Sequence, residues 1–314
     1  MASELHVGLY CYLDDETFAR TRDALMEFYD GPCHLVINRF NSYAPDAPEA
    51  FVSKAYDVAT IDGMFLPSFA PYCAALPDEP DELTGSFGGP DILPVADAGS
   101  RVDGVLFGVP FLLCTYLLVD ITRPPKKACR TKAPWGEIPD LLMDVAPSTT
   151  PYYYCMAQPA GGDGIVPAPD DARSTPAWAQ TVATMDVIRA RPGPSAVRAG
   201  FPEKILDEKV LGAPACLVQF LNFGMPRTRF YVDTTVVSQQ SRHPEEALRV
   251  AQLLGSLSVL ARVLKASTST PTYHIPPRKT LMTMCAINGD WKHRRLKDMM
   301  ERVRGVPMQV QRFI

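Results

Sequence analysis

The chain has 314 residues, a net charge of -4, and 46% hydrophobic against 21% charged residues. This composition is typical of globular proteins and excludes a disordered or fibrous chain. The negative net charge argues against a protein whose main role is to bind the phosphate backbone of a nucleic acid. A chain of this length exceeds the usual size of a single hydrophobic core, so we expect two lobes. The 30 prolines predict short elements joined by rigid turns.

The sequence contains neither a membrane-spanning stretch of about 18 apolar residues nor the basic start and apolar core of a secretory signal. We therefore expect a cytoplasmic protein that does not contact membranes. None of the eight cysteines belongs to a Cys-x-x-Cys pair, so no zinc site is expected. The cysteines are expected to be free thiols, most of them buried.

The first part of the sequence has the alternating strand and helix pattern of a parallel α/β sheet. Apolar residues alternate over 5–9 and predict a first strand. Asp14 and Asp15 offer an N-cap for the helix that follows. Further strands are predicted at 34–40 and 56–61, which completes a βαβ pattern.

The most apolar run of the chain spans 105–119, and a glycine and a proline inside it would interrupt a helix. We interpret it as two consecutive strands with a bend, the second of which carries Cys114. Beyond it, helices are predicted near 136–145 and 176–190. The segment 159–176 is rich in Gly, Pro and Asp and predicts a mobile surface loop.

The last part of the chain returns to regular elements. Residues 229–237 are rich in β-branched side chains and predict a strand. Pro244 fits the first position of a helix. Residues 247–264 are apolar on several faces and predict one well-buried helix, and an amphipathic helix is expected near 291–303.

Cys114 and Glu203 are candidates for a nucleophile and its base. Taken alone, Cys114 fits a buried core cysteine, and Glu203 fits a charge at a helix N-terminus. As a pair, Glu203 would remove the thiol proton of Cys114. A base of this kind should lower the pKa of Cys114, so that it is alkylated before Cys33 or Cys285.

Two aspartates fall in or at the end of predicted strands, where aspartate is disfavoured. Asp62 ends the third strand and Asp233 lies inside the strand at 229–237. Each is either a structural, hydrogen-bonded aspartate or a cleft residue that binds the amino groups of a ligand. The candidates for stacking on a planar ring are Tyr10, Tyr12, Tyr43, Tyr152, Tyr153, Tyr154 and Tyr231.

The histidines show no pattern that predicts a metal site, since His243, His274 and His293 lack the spacing of metal ligands. The basic run at 292–297 is interpreted as the solvated face of the last helix.

Several short segments, in order along nearly the whole chain, resemble thiaminase I, also called thiamine pyridinylase. The most diagnostic is the apolar block at 104–118 with Leu-Cys-Thr inside it, at the right distance after Asp91. The matching segments are 7–12, 41–43, 56–66, 91–94, 104–118, 199–203 and 230–233. The resemblance implies a two-lobed α/β fold of the type II periplasmic-binding-protein kind.

The resemblance also implies roles for individual residues. Cys114 becomes the nucleophile and Glu203 its general base. The implied substrate-binding residues are Tyr12, Tyr43, Asp62, Asp91, Tyr231 and Asp233. The implied reaction is the displacement of a thiazole-type leaving group from an electron-poor pyrimidine by a second small nucleophile. No metal or organic cofactor is expected, because the thiolate supplies the nucleophile.

The resemblance also implies domain boundaries. One lobe is expected to take 1–113 and 236–314, and a remodelled, proline-rich second lobe takes 114–235.

The sequence departs from the family at the expected pocket wall, since Phe201 and Pro202 stand where a Tyr and a Ser are expected. Two alternatives remain open: a non-catalytic binder of thiamine or another heterocycle, and a relative that acts on a different heteroaromatic substrate in secondary metabolism. The oligomeric state is left open.

Overall fold

The structure, a computed structural model, describes residues 3–10, 13–44, 46–77, 90–120, 141–142, 153, 156–157, 165–166, 173–190, 197–206, 217–221, 227–303 and 305–310. The strands are β1 Glu4–Tyr10, β2 His34–Phe40, β3 Val58–Asp62, β4 Arg101–Val102, β5 Val105–Leu106, β6 Gly108–Cys114, β7 Leu117–Asp120, β8 Leu141–Leu142, β9 Ile165–Val166, β10 Val197–Gly200, β11 Leu217–Phe220, β12 Arg229–Val237, β13 Val306–Pro307 and β14 Gln309–Val310. The helices are α1 Asp15–Phe28, α2 Ala47–Ser53, α3 Leu66–Phe69, α4 Pro94–Gly99, α5 Pro176–Arg189, α6 Pro202–Ile205, α7 Pro244–Leu254, α8 Leu257–Val263, α9 Lys279–Asn288 and α10 Trp291–Arg302.

The first sheet is mixed, although its N-terminal part has the predicted parallel pattern. Strand β1 pairs in parallel with both β2 and β3. Strand β12 returns antiparallel to β3 on one side and to β6 on the other. All nine residues of β12 are buried, which fits its β-branched sequence.

Helices α1, α7 and α8 cover one face of this sheet with a shared apolar core. The predicted cap of α1 is confirmed, since the Asp14 carboxylate accepts the backbone N–H of Thr17 at 2.7 Å. Pro244 begins α7, as predicted. The single helix predicted over 247–264 is wrong, because the chain breaks at Gly255 and Ser256 caps α8. Only a glycine fits at the break, where a Cβ would lie 2.2 Å from Val109.

The apolar run that contains Cys114 holds the two consecutive strands that were expected, since β5 and β6 are separated at Phe107 and β6 carries Cys114. Pro110 lies within β6, where the pairing with β12 only shifts register between Asp233 and Thr234. Such an irregularity accommodates a residue that cannot donate a hydrogen bond to the ladder. The strand ends at Cys114 itself, and β7 starts three residues later. Cys114 therefore stands where the chain leaves the first sheet.

The second sheet has the order β11-β7-β10-β8. Strand β7 pairs antiparallel with β10 and β11, and β10 pairs in parallel with β8. The helix predicted near 136–145 is wrong at 141–142, which form β8, while the rest of that range lies outside the described residues. Within the predicted loop 159–176, Ile165 and Val166 pair with β14, and α5 begins at Pro176.

Strand β12 pairs with strands of the first sheet along its whole length, although residues 229–235 fall within the range 114–235 that was expected for the second lobe. Among the described residues, Cys33, Cys73 and Cys285 are buried free thiols and Cys114 is half-buried. No helix in the described part of the chain is long and apolar enough to cross a membrane.

Candidate active site

A cavity of about 960 Å³ is lined by residues of both sheets. The first sheet contributes the ends of β1, β3, β6 and β12, and the second contributes the end of β10 with α6. Helix α1 and the segment 269–274 form the remaining wall. Strand ends and helix starts from several elements therefore converge on one space, as is usual for ligand sites.

Cys114 lines this cavity as the last residue of β6, directly opposite Tyr231 of β12. Burial raises the pKa of the Cys114 thiol well above its ordinary value of 9.0, and the nearby Glu203, Asp233 and Asp62 raise it further. The expectation that its surroundings lower this pKa is therefore wrong. Without a ligand, Cys114 is a neutral thiol.

Glu203 is brought to the same cavity by the pairing of β10 with β7. Gly200 lies opposite Leu117, so the residues that follow β10 meet the residues that precede β7. Glu203 then stands on the short helix α6 and lines the cavity. Of the three carboxylates that act on the Cys114 thiol, Glu203 has the largest effect. This arrangement provides a proton acceptor near the thiol of Cys114.

Asp62 and Asp233 face each other across the β3–β12 pair. They are only 2% and 8% exposed. Burial raises the pKa of Asp62 to about 6, against hydrogen bonds from Tyr43 and Met64 that lower it. Burial, Asp62 and Glu203 together raise the pKa of Asp233 well above 3.8. Two buried carboxylates side by side form a site that favours a cation or several N–H donors.

A chain of hydroxyl groups leads to this pair of aspartates. The Tyr43 hydroxyl donates to the Asp62 carboxylate, and the Tyr10 and Tyr43 hydroxyl oxygens lie 2.9 Å apart. The Tyr43 ring packs edge-on against Phe65, with centroids 4.9 Å apart. Tyr43 therefore orients Asp62 by hydrogen bonding. Tyr12, predicted beside it, lies outside the described residues.

Aromatic rings form the opposite wall. Phe201 packs against Tyr116 with centroids 4.4 Å apart, and meets Tyr231 edge-on at 6.4 Å. Tyr153 extends the row, 5.5 Å from Tyr116. All four rings line the cavity. A flat heteroaromatic ligand would find matching surfaces here.

Asp91 does not line this cavity, so its predicted role in binding a ligand is corrected to a structural one. Its carboxylate accepts hydrogen bonds from the backbone N–H and the hydroxyl of Thr280, at 2.9 and 2.7 Å. Arg278 approaches the other oxygen at 3.4 Å. Burial opposes ionisation, but these bonds lower the pKa of Asp91. The residue caps the start of α9 from a distant part of the chain.

Replacing Asp91 with Ala should lower the free energy of unfolding by about 1–2 kcal/mol, the usual cost of a lost cap. Because the pKa of Asp91 is lowered in the folded state, its stabilisation is present above its ordinary pKa of 3.8 and is lost as pH falls further. Denaturant titrations at pH 7 and pH 3 measure both effects.

The matched control is Asp186→Ala, which breaks an exposed ion pair with Arg189 on α5. That change should cost only about 0.5 kcal/mol or less. Equal stability of the two variants at pH 7 would contradict the capping role of Asp91.

Two cavity residues were not predicted from the sequence. Tyr116 lies two residues beyond Cys114 in a run whose pattern indicates only apolar strands. His274 lies far from the other site residues in the sequence and lacks the spacing of a metal ligand. Both line the cavity. No group of three or more His, Cys, Asp or Glu side chains suited to a metal occurs among the described residues.

Comparison with protein-family models and with curated proteins finds no match for this chain. Solved structures do match over almost its full length. Clostridium botulinum thiaminase I, in complex with thiamin, superposes with a TM-score of 0.72 at 16% identity, covering 98% of this chain and 94% of that one. A eukaryotic thiaminase-I bound to 3-deazathiamin gives 0.72 at 14% identity, covering 99% and 95%.

Carbohydrate-binding proteins share the same architecture. The sugar-binding protein MalE from Xanthomonas citri superposes with a TM-score of 0.67 at 15% identity, covering 98% of this chain and 87% of that one. At such identities the likeness concerns the fold. The expected fold class is confirmed: this chain has the two-lobed fold of type II periplasmic binding proteins, which thiaminase I also adopts.

Proposed function

We propose that this protein is a thiaminase-I-like transferase that acts on thiamine or a related cationic heteroaromatic compound. The observation that carries the proposal is the convergence of Cys114, Glu203 and the Asp62–Asp233 pair in one aromatic-walled cavity. A protein that only binds sugars does not need a thiol beside a carboxylate. The similarity in fold to thiaminase I makes the same chemistry the first candidate.

In the first half-reaction, Glu203 accepts the Cys114 proton and the thiolate adds to an electron-poor carbon of the pyrimidine ring. The bond between the methylene carbon and the leaving nitrogen then breaks, and its electron pair leaves with a neutral thiazole. Asp62 and Asp233 hold the amino group of the ring, while Tyr231 packs against its face and Phe201 contacts its edge.

In the second half-reaction, another nucleophile bonds to the methylene carbon. Electrons return through the ring to the carbon–sulfur bond, and Cys114 leaves as a thiolate. Glu203 returns the proton to the sulfur. The product is a pyrimidine that carries the new nucleophile.

The raised pKa of Cys114 fits a substrate that carries positive charge. Burial and three carboxylates keep the thiol protonated while the cavity is empty. A cation bound beside the thiol offsets those negative charges and lowers the cost of forming a thiolate. The nucleophile would thus be activated by its own substrate, which limits side reactions of a free thiolate.

A non-catalytic heterocycle-binding protein is the second candidate, favoured by the neutral thiol of the empty site. Intact mass spectrometry distinguishes the two. Incubation with thiamine and no added nucleophile should leave an adduct with the mass of the pyrimidine-methylene group. Retention of thiamine without an adduct or turnover would support the binder. If thiamine forms no adduct but another quaternary heterocycle does, that heterocycle belongs to the true substrate class.

The carboxylate pair supports a prediction about substrate use. Asp62→Asn and Asp233→Asn should each lower kcat/KM for an aminopyrimidine substrate by about ten- to a hundredfold, because a hydrogen bond to a charged group is lost. The two losses should not add, since both residues hold one ring. Kinetics of the two single variants and of the double variant measure this coupling.

Stability is the control for these variants. The folded-state pKa of Asp62 is about 6 against an ordinary 3.8, so the folded state binds more protons in that interval and stability falls as pH rises through it. Asp62→Asn should therefore melt higher than the wild type at pH 7.5, with little difference near pH 3.5. A variant that melts earlier and keeps its kcat/KM would show that the aspartate is structural.

A further inference from the structure

His274 lies on the opposite side of Cys114 from Tyr231. The neighbouring residues Leu113 and Ile275 form an antiparallel bridge, in which the Leu113 N–H donates to the Ile275 carbonyl at 2.8 Å. In such a pair, the residue after one partner faces the residue before the other, so Cys114 and His274 project to the same side. Facing residues of this kind have Cβ atoms about 5 Å apart. Both side chains line the cavity.

The backbone that carries His274 is held from several directions. The Thr272 N–H donates to the Leu264 carbonyl at 2.8 Å. The Tyr273 hydroxyl donates to Asp290 at 2.9 Å, and its ring stacks on His293 with centroids 4.3 Å apart. Together with the bridge at Ile275, these contacts fix the backbone of His274 beside the end of β6. A fixed backbone lowers the entropy that the side chain must lose to reach a reactive position.

Charged groups from α6 and from α1 with its cap act on this imidazole. Burial lowers its pKa below the ordinary 6.5, Glu203 and Asp14 act in the opposite direction, and Arg20 lowers it further. The ring is therefore neutral at pH 7 and able to accept a proton. The same cavity is also lined by α1 and by Ser269, Thr270 and Thr272, and its volume is about 960 Å³. A cavity of this volume exceeds the needs of one small heteroaromatic ring, so a second small reactant can enter it.

We propose that His274 is the general base of the second half-reaction and takes the proton from an incoming nucleophile that must lose one. The inference rests on the proposed function. As the nucleophile's nitrogen or oxygen bonds to the methylene carbon, its proton moves to the imidazole nitrogen, and the imidazolium later releases that proton to solvent. Glu203 remains responsible for the proton of Cys114. The two protons of the reaction thus have separate acceptors.

A competition between aniline and pyridine tests this division. Aniline loses a proton when it replaces the leaving group, whereas pyridine has none to lose. Both nucleophiles react with the same covalent intermediate. The ratio of the aniline product to the pyridine product therefore depends only on the second half-reaction, even when the first half-reaction limits turnover. His274→Gln should shift the ratio towards the pyridine product by about a hundredfold, the lower range for loss of a general base. Formation of the Cys114 adduct should be unchanged.

His34→Gln is the matched control, because His34 is exposed on β2 and outside the cavity. It should keep the wild-type product ratio. If His274→Gln does not fold, His274→Asn provides the second variant, and the aniline share of the wild-type protein should also fall in deuterium oxide. A folded His274 variant that keeps the wild-type product ratio, or a wild-type ratio unaffected by deuterium, would overturn the inference. A wild-type protein that transfers to neither nucleophile would instead overturn the proposed function.

Discussion

Cys114→Ser should reduce turnover by at least about a thousandfold, because a serine hydroxyl in this acidic cavity cannot form the nucleophile. The hydroxyl nearly matches the thiol in size, and Cys114 is only half-buried at the end of β6. Melting temperature and thiamine binding should therefore stay close to the wild type. Steady-state kinetics and intact mass spectrometry should show neither product nor adduct.

Cys73→Ser is the control for this prediction. Cys73 is buried, and burial alone raises its pKa. A serine there should lower stability, because it buries a hydroxyl in an apolar core, yet leave turnover unchanged. If Cys114→Ser keeps most of its activity, the covalent mechanism is wrong. If Cys73→Ser loses activity in the folded state, the nucleophile has been misassigned.

Local patterns predicted those parts of the fold that depend on neighbouring residues. Alternation in β1, β-branched residues in β12 and the Asp14 cap all act within a few positions, and the structure has each element where the sequence indicates it. The two strands expected in the run that contains Cys114 correspond to β5 and β6. The run also contains the start of a third strand, β7, which joins the second sheet through its pairing with the distant strands β10 and β11.

The errors at the site have the same origin in tertiary contacts. Asp91 was assigned to the ligand, but its partners Thr280 and Arg278 are nearly 190 positions away in the sequence. His274 reaches Cys114 only through the bridge at Ile275. The raised pKa of Cys114 likewise comes from burial first and then from three carboxylates on separate elements. These contacts join residues that are far apart in the sequence, so no pattern within one segment predicts them.

Glu203→Gln should move two measurements in opposite directions. Turnover should fall by about two to four orders of magnitude, the usual range for loss of a general base. Because Glu203 raises the pKa of the Cys114 thiol, its neutral replacement should also speed alkylation of Cys114 by iodoacetamide in the empty protein. Glu246→Gln on α7, whose carboxylate accepts from Tyr29 outside the cavity, should change neither. Wild-type turnover in Glu203→Gln would exclude it as the base, and slower alkylation would show that it does not act on the thiol through its charge.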